Sequence, residues 1–527
     1  MAAQSKLIQN VAGSTTRSAI TKVGMGYSLN LYPETQSSEH SCQILMRPTS
    51  GAALACVLEG KCRGMFRVSR AYDENPGLYV VFDRNLWFID SSNTPHAIGK
   101  IDSDGTKCNM CETGGYGSAH THLIITDGTH VYAVNTGLPL QDQAREFAEH
   151  GNIQLPLRVN STTDYIKPTH CAYLFGYLIV NDAGTDAFYT SYQYPFETYT
   201  ETDPEYWDIF RVKTTEFKDY GFITYSEWQP DATLALCSNG SKLYTFGTRS
   251  WQAFSYNNDV NNPFSSPDNA AGNVGIKAAN SLAMLGNTVL FLGSSDIGDN
   301  GVFMIKDSQI TRVSTNDIER EINLLTDKEN AYSSIWQEHQ HLFYSLTFEA
   351  SKTTYVYDIS EGAWHNRSSF DESNKQTYWR YNNATFAYGK IYVGTNDALC
   401  YLDENVFTEH NGMPILKLRR GSVLTNDGRP FYIDAAEIIT NNGQHSFNNT
   451  YGDLELNPRV TIRFSWDGAT WSDYEDNYLG KIGQYGYRTI YDHLGLGRYF
   501  TLEISTTENI PFCIENLKIK YTPSSSF

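Results

Sequence analysis

LYVVFDRNLWFID, from Leu78 to Asp90, reads as two short strands around a polar break. Apolar residues crowd LYVVF and LWFI, and Asp83-Arg84-Asn85 supplies the residue types that tight hairpin turns need. The same unit returns six times. It reads HLIITDGTHVYAVN from His122, YLIVNDAGTDAFYTS from Tyr177, and KLYTFGTRSWQAFS from Lys242. It continues as NTVLFLGSSDIGDNGVFMI from Asn287, HLFYSLTFEASKTTYVYD from His341, and KIYVGTNDALCYLD from Lys390. The starts lie 44, 55, 65, 45, 54 and 49 residues apart. A hairpin alone cannot bury its apolar face, whereas hairpins stacked around an axis can. Seven of them at this period predict an all-β chain holding a seven-bladed β-propeller, each blade a four-stranded sheet of about 40–50 residues. A set of separate β-sandwiches is the other arrangement the pattern allows.

The repeat divides the chain. Residues 65–411 are expected to form the propeller. Residues 412–527 carry longer alternating runs, RVTIRFSWDG from Arg459, RYFTLEIS from Arg498 and CIENLKIKYT from Cys513, and are expected to form a C-terminal β-sandwich-like domain. Residues 1–64 show few clear strands and are expected to be an extended arm or to complete the ring. An aromatic, acidic stretch at 189–228 lengthens the third interval and reads as an insertion, either a contact loop or an extra strand pair. Two helices are expected, one in LPLQDQAREFAEHG from Leu138 and one in STNDIEREINLL from Ser314. In the second, Ser314 or Thr315 is placed to cap, and Ile318, Ile322 and Leu325 share a face.

Composition narrows the function. The chain has 527 residues, a formal net charge of −19, and 36 Tyr with 26 Phe. A sequence-independent DNA binder needs a cationic surface to release phosphate counterions, so repulsion is the expected relation to DNA. No run of about 18 apolar residues occurs, so no membrane span is expected. The start, MAAQSKLIQNVAGSTTRSAITKVG, has no apolar h-region, so a secretory signal is not expected. Nine scattered Cys suggest reduced thiols and assembly in a cytosol rather than a disulfide framework.

Few residues suggest chemistry. Cys108 and Cys111, with His120 and His122, have donor types that suit Zn²⁺, but the spacing is not that of a standard finger. The plainer reading is a turn flanked by buried thiols, so no metal is expected. Ser465-Trp466-Asp467-Gly468-Ala469-Thr470-Trp471 is one residue short of the Asp-box of sialidase-like propellers; Asp-Gly fits a tight turn and both Trp fit a core. Lys417-Leu418-Arg419-Arg420 is the densest basic cluster, read as an intersubunit contact or a solvated linker. G-x-S-x-G, Walker A and H-E-x-x-H motifs are missing, and no catalytic residue or cofactor is expected.

The chain resembles the packaged-DNA-stabilising, tail hub (nozzle) proteins of short-tailed phages like P22. The pieces carrying the resemblance run in order. NLYPET (Asn30 to Thr35), Arg47-Pro48 and Arg63-Gly64 come first, then LYTFGTRSWQAFSYNNDVNNPF from Leu243 and NVGIKAANSLAMLGNTVLFLG from Asn273. DNGVFMIKDSQITRVSTNDIE from Asp299, TTYVYDISEGAW from Thr353 and the closing GLGRYFTLEIS follow. The resemblance implies a non-enzymatic virion protein: six copies in a ring below the portal and adaptor. The ring would retain packaged DNA, line the ejection channel and carry tail spikes or fibres and a plug or needle. A carbohydrate-binding or carbohydrate-cleaving propeller acting in host recognition is the alternative, since Tyr and Trp faces stack on sugars.

Overall fold

The computed structural model describes residues 4–8, 11–18, 20, 24–69, 71, 75–103, 105, 107–114, 121–153, 166–191, 222–226, 228–259, 262–268, 270–295, 300–306, 308–443 and 457–524. Among them the fold is almost entirely antiparallel β-sheet with two α-helices.

Every hairpin picked out by its sequence becomes the two middle strands of a sheet. The first becomes Gly77–Phe82 and Asn85–Ile89, with Cys62–Val68 on one side and Pro95–Lys100 on the other. Six further sheets repeat this order. Middle strands are legible because both of their faces are covered. Leu78, Val80 and Phe82 pack toward Tyr392 and Leu399 of the last blade, while Tyr79 and Val81 pack toward Leu123 and Ile125 of the second. Burying each such side chain stabilises by roughly 1.5–3 kcal/mol. Seven apolar clusters of this kind join each blade to the next and the last back to the first, consistent with a seven-bladed ring.

The N-terminal stretch to Gly64 is not a free arm. Gly51–Val57 pairs with Ala398–Asp403 as the outer strand of the seventh sheet, so the beginning of the chain closes the ring. Gln4–Ile8, Leu31–Thr35 and Ile44–Pro48 join a sheet with Phe431–Thr440, Thr489–Gly497 and Ile514–Pro523. Met25–Leu29 joins a second sheet with Lys417–Arg420, Tyr499–Thr506, Arg459–Ser465 and Glu475–Tyr478. The two sheets share one core that includes Leu31, Met46, Ile433, Ile462, Leu502 and Ile514. The sandwich is thus made from both ends of the chain.

Sandwich and propeller are also continuous. Leu29 makes a parallel bridge to Asn366 on the outer strand of blade six, Ala363–Phe370. Next to it stands Asn30, buried and at φ 52°. Its side chain donates to the carbonyls of Leu416 (2.8 Å) and Ser368 (3.2 Å) and accepts from the Ser368 N–H (3.0 Å). Asn tolerates this left-handed backbone better than most residues, which suits it to the seam.

Both expected helices form. Leu140–His150 lies in blade two. Asn316–Leu324 is capped by Thr315, whose side chain accepts from the Ile318 N–H, and buries Ile318 and Ile322. The insertion leaves blade three after Ala187–Thr190 and returns as the adjacent strand Phe222–Tyr225. Most of its residues, 192–221 and 227, lie outside the described residues.

Candidate functional site

First strands of neighbouring blades lie against one another, and residues leading into several of them line the mouth of the axis. A cavity of about 690 Å³ opens there among Lys61, Lys107, Tyr332, Glu349, Tyr378 and Asn382. Below it lies a chamber of about 160 Å³ lined by residues that include Met65, Asn109, His170 and Leu282. Lys107, Asn280 and Asn383 border both and form the neck. The acids at the mouth are engaged: Glu349 pairs with Lys61 at 2.5 Å and Glu329 with Lys277 at 2.9 Å. Lys107 donates through Nζ to the carbonyl of Ser333 and lies 5.9 Å from the Tyr332 ring. Burial pushes its ammonium pKa down to about 8. Burial, then the charge of Lys107, pushes His170 down to about 4, so the chamber holds a neutral imidazole.

A second constellation ties blade six to the sandwich. Arg367 is fully buried, 5.0 Å from the rings of Trp336 and Phe343 and 5.1 Å from Trp379. Its partner is the buried Glu338 at 3.7 Å. Burial opposes the Glu338 charge, but Arg367 together with hydrogen bonds from Ser50 and Trp336 outweighs it and holds the carboxyl below its usual range. Beside them His341 places Nδ1 2.6 Å from Asp358 and Nε2 3.5 Å from Glu34, which binds Arg47 at 2.7 Å. Burial again works against the imidazolium, yet Asp358 and Glu34 raise the His341 pKa. The line of charge runs from blade six into the Leu31–Thr35 hairpin. Such pairs cost desolvation and fix geometry more than they add stability. Sequence reasoning missed this site, because Arg367, Glu338 and Trp379 meet only after folding.

The residues singled out by sequence fall elsewhere. Cys108 packs in the cluster between blades one and two, while Cys111 packs between blades two and three, on the other face of the strand. His122 is buried within Thr113 and Asn135 pairings, and His120 lies outside the described residues. None of the nine Cys forms a disulfide. The Asp-box-like turn forms: Gly468 stands at φ 76°, and Asp467 accepts from the Ala469 and Thr470 N–H groups at 2.7 Å each, which lowers its pKa to about 2. Trp466 enters the sandwich core, but Trp471 does not. It lies 4.8 Å from both Arg420 and Arg463.

Half of the basic cluster turns inward, contrary to its reading as a solvated linker. Lys417 and Arg419 are buried. Lys417 donates to the carbonyl of Glu508 at 2.8 Å, and Arg419 donates to those of Val11 and Ser14. Burial lowers their pKa values to about 7 and about 10. Alternation along the strand decides this: Lys417 and Arg419 face the core side, Leu418 and Arg420 the other.

Four-stranded blades closed by an N-terminal strand around a narrow axis define a β-propeller, here fused to a β-sandwich built from the chain ends. Over residues 24–407 the sequence matches the family described as bacteriophage P22 Gp10, beta-propeller, and the chain belongs to that family. It is a structural phage protein. No curated protein matches. Among solved structures, the chain is similar to the extracellular domain of a hybrid two-component system from B. thetaiotaomicron (12% identity, TM-score 0.34), covering 76% of this chain and 46% of that one. It is also similar to BBS1N crystallised with ARL6DN (10% identity, TM-score 0.34), covering 67% of this chain and 98% of that one. At that TM-score neither likeness bears on function. Among the described residues, no helix is long and apolar enough to cross a membrane.

Proposed function

We propose that this chain is the subunit of a tail hub or nozzle ring beneath the portal and adaptor of a short-tailed phage, where it retains packaged DNA and lines the path of ejection. The observation that carries the reading is the match to the phage family over residues 24–407. Residues of blades one, two, three, five and seven converge on one small chamber at the axis, which leaves no bore there for a duplex whose major groove alone is about 12 Å wide. A conduit built from this protein therefore lies between copies, and heterologous contacts that close make a ring, here taken as six copies. A net charge of −19 would favour a lumen along which DNA slides without sticking. Spikes or fibres and a plug would dock on the ring, which assembles in the host cytoplasm as part of the virion. No covalent chemistry enters this role.

Electron microscopy of particles tests it. A closed ring of this chain below the adaptor, together with leakage of packaged DNA from particles made without it, is the expected result. Intact tails and retained genomes in its absence would overturn the reading.

A further inference from the structure

The outer face of the second sandwich sheet carries an alternating stack of guanidinium groups and rings. Arg17 lies 5.1 Å from the ring of Tyr27, and Arg420 lies 5.9 Å from the same ring. Arg420 and Arg463 each lie 4.8 Å from Trp471, and Arg463 continues to Tyr474 at 5.2 Å. The stack borders a groove of about 620 Å³ beside blade six.

Its core is prearranged. Buried Glu503 accepts from Arg463 Nε (2.5 Å) with one oxygen and from Arg420 Nε (3.0 Å) and Nη2 (2.6 Å) with the other. Both Nη atoms of Arg463 and Nη1 of Arg420 make no hydrogen bond among the described residues. One buried carboxylate thus fixes two guanidinium groups whose remaining donors are open to a carboxylate-bearing partner, while the other acid of the groove, Asp476, accepts from the Thr461 hydroxyl at 2.6 Å. Tyr474 is 63% exposed, and rigid aromatic and Arg side chains are the types that dominate protein contacts.

The sequence holds a matching segment. Glu201-Thr202-Asp203-Pro204-Glu205-Tyr206-Trp207-Asp208 has four carboxylates, two aromatic rings and no base. It belongs to the stretch between Thr190 and Phe222 of blade three. Blade three stands across the ring from blade six, against which the groove lies, so the occupant is sought in a neighbouring copy.

We propose that the Arg–aromatic groove is one half of the subunit contact and takes the carboxylate-rich segment 201–208 of a second copy. The contact is heterologous, which is what a closing ring requires, and the proposal rests on the ring reading above. A labelled peptide covering residues 197–210, titrated against the full chain by fluorescence anisotropy, tests it. A second peptide with every Glu and Asp replaced by its amide is the comparison. Saturable binding is expected, weakening with salt and at least tenfold weaker for the amide peptide and for Arg463→Gln. Because Arg463→Gln strips Glu503 of a partner and can fail to fold, Tyr474→Ala provides the second variant, also expected at tenfold or more. Equal binding of the two peptides, no effect of Tyr474→Ala, or no binding at millimolar peptide would overturn the proposal. An intact ring on particles together with any of those results sinks the docking alone; absence of the ring sinks the reading beneath it.

Discussion

The propeller and the sandwich solve the same burial problem with opposite chain economies. In six of the seven blades all strands come from neighbouring sequence, as in blade one, which runs from Cys62 to Lys100. The sandwich takes strands from the first fifty residues and from Lys417 onward, and the first set adds Val11, Leu31 and Met46 to a core that the second mostly supplies. Blade seven stands between the two cases, with three local strands and one borrowed from the N-terminal side. The difference teaches where damage spreads. A fault in a blade meets two neighbours, whereas a fault in the first fifty-odd residues reaches both the ring closure and the sandwich.

The strongest way to break this comparison is to delete residues 1–57. That removes the closing strand and five strands of the sandwich sheets, and no cooperative thermal transition by circular dichroism is expected. A truncated chain that still melts cooperatively would show the propeller to be independent of its borrowed parts. Within a blade, Trp364→Ala should cost about 3–5 kcal/mol in denaturant unfolding, because the ring is buried and its Nε1 donates to the Val313 carbonyl at 3.0 Å.

Lys417 sharpens the sandwich side. Its folded pKa is depressed to about 7 from 10.5, so between those values the unfolded chain binds more protons than the folded one. Stability therefore rises with pH across that window. The wild type should gain on Lys417→Met there, on the order of a few kcal/mol. A constant gap between the two across pH 7–10.5 in urea titrations would contradict the buried cation.

At the seam, Asn30→Ala should cost about 1–2 kcal/mol, since it leaves the part-buried Ser368 N–H and Leu416 carbonyl without their partner. Asn30→Gly keeps the backbone but loses the same bonds, so near-equal losses would assign the effect to hydrogen bonding. The smallest effect is expected for Gly468→Ala, about 1 kcal/mol for a Cβ at φ 76°.

Legibility followed the same divide. The seven hairpins were readable because middle strands such as Gly77–Phe82 are buried on both faces and flanked by turn residues such as Asp83 at φ 47°. Several first and fourth strands, such as Asn109–Glu112 and Gln309–Arg312, are short and half exposed, and their pattern fades. Gly51–Val57, GAALACV, carries small residues without alternation, so nothing local tells that it pairs with Ala398–Asp403. At the joint, Arg367 looks like one more polar residue in AWHNRSSF until Glu338 and three rings converge on it. The Lys417–Arg420 run misled because its charge was read without its alternation: two of its side chains point into a core lined by carbonyls that no sequence pattern announces.

The pairing of Val57 with Ala398 also sets a clock on synthesis. At about five to twenty residues per second, the closing strand leaves the ribosome tens of seconds before its partner exists. Until then an uncharged strand is held open, a template for wrong pairing. A chain cut short before Ala398 never closes. Ring closure thus acts as a proofreading step, so that only chains translated past the seventh blade can become complete subunits.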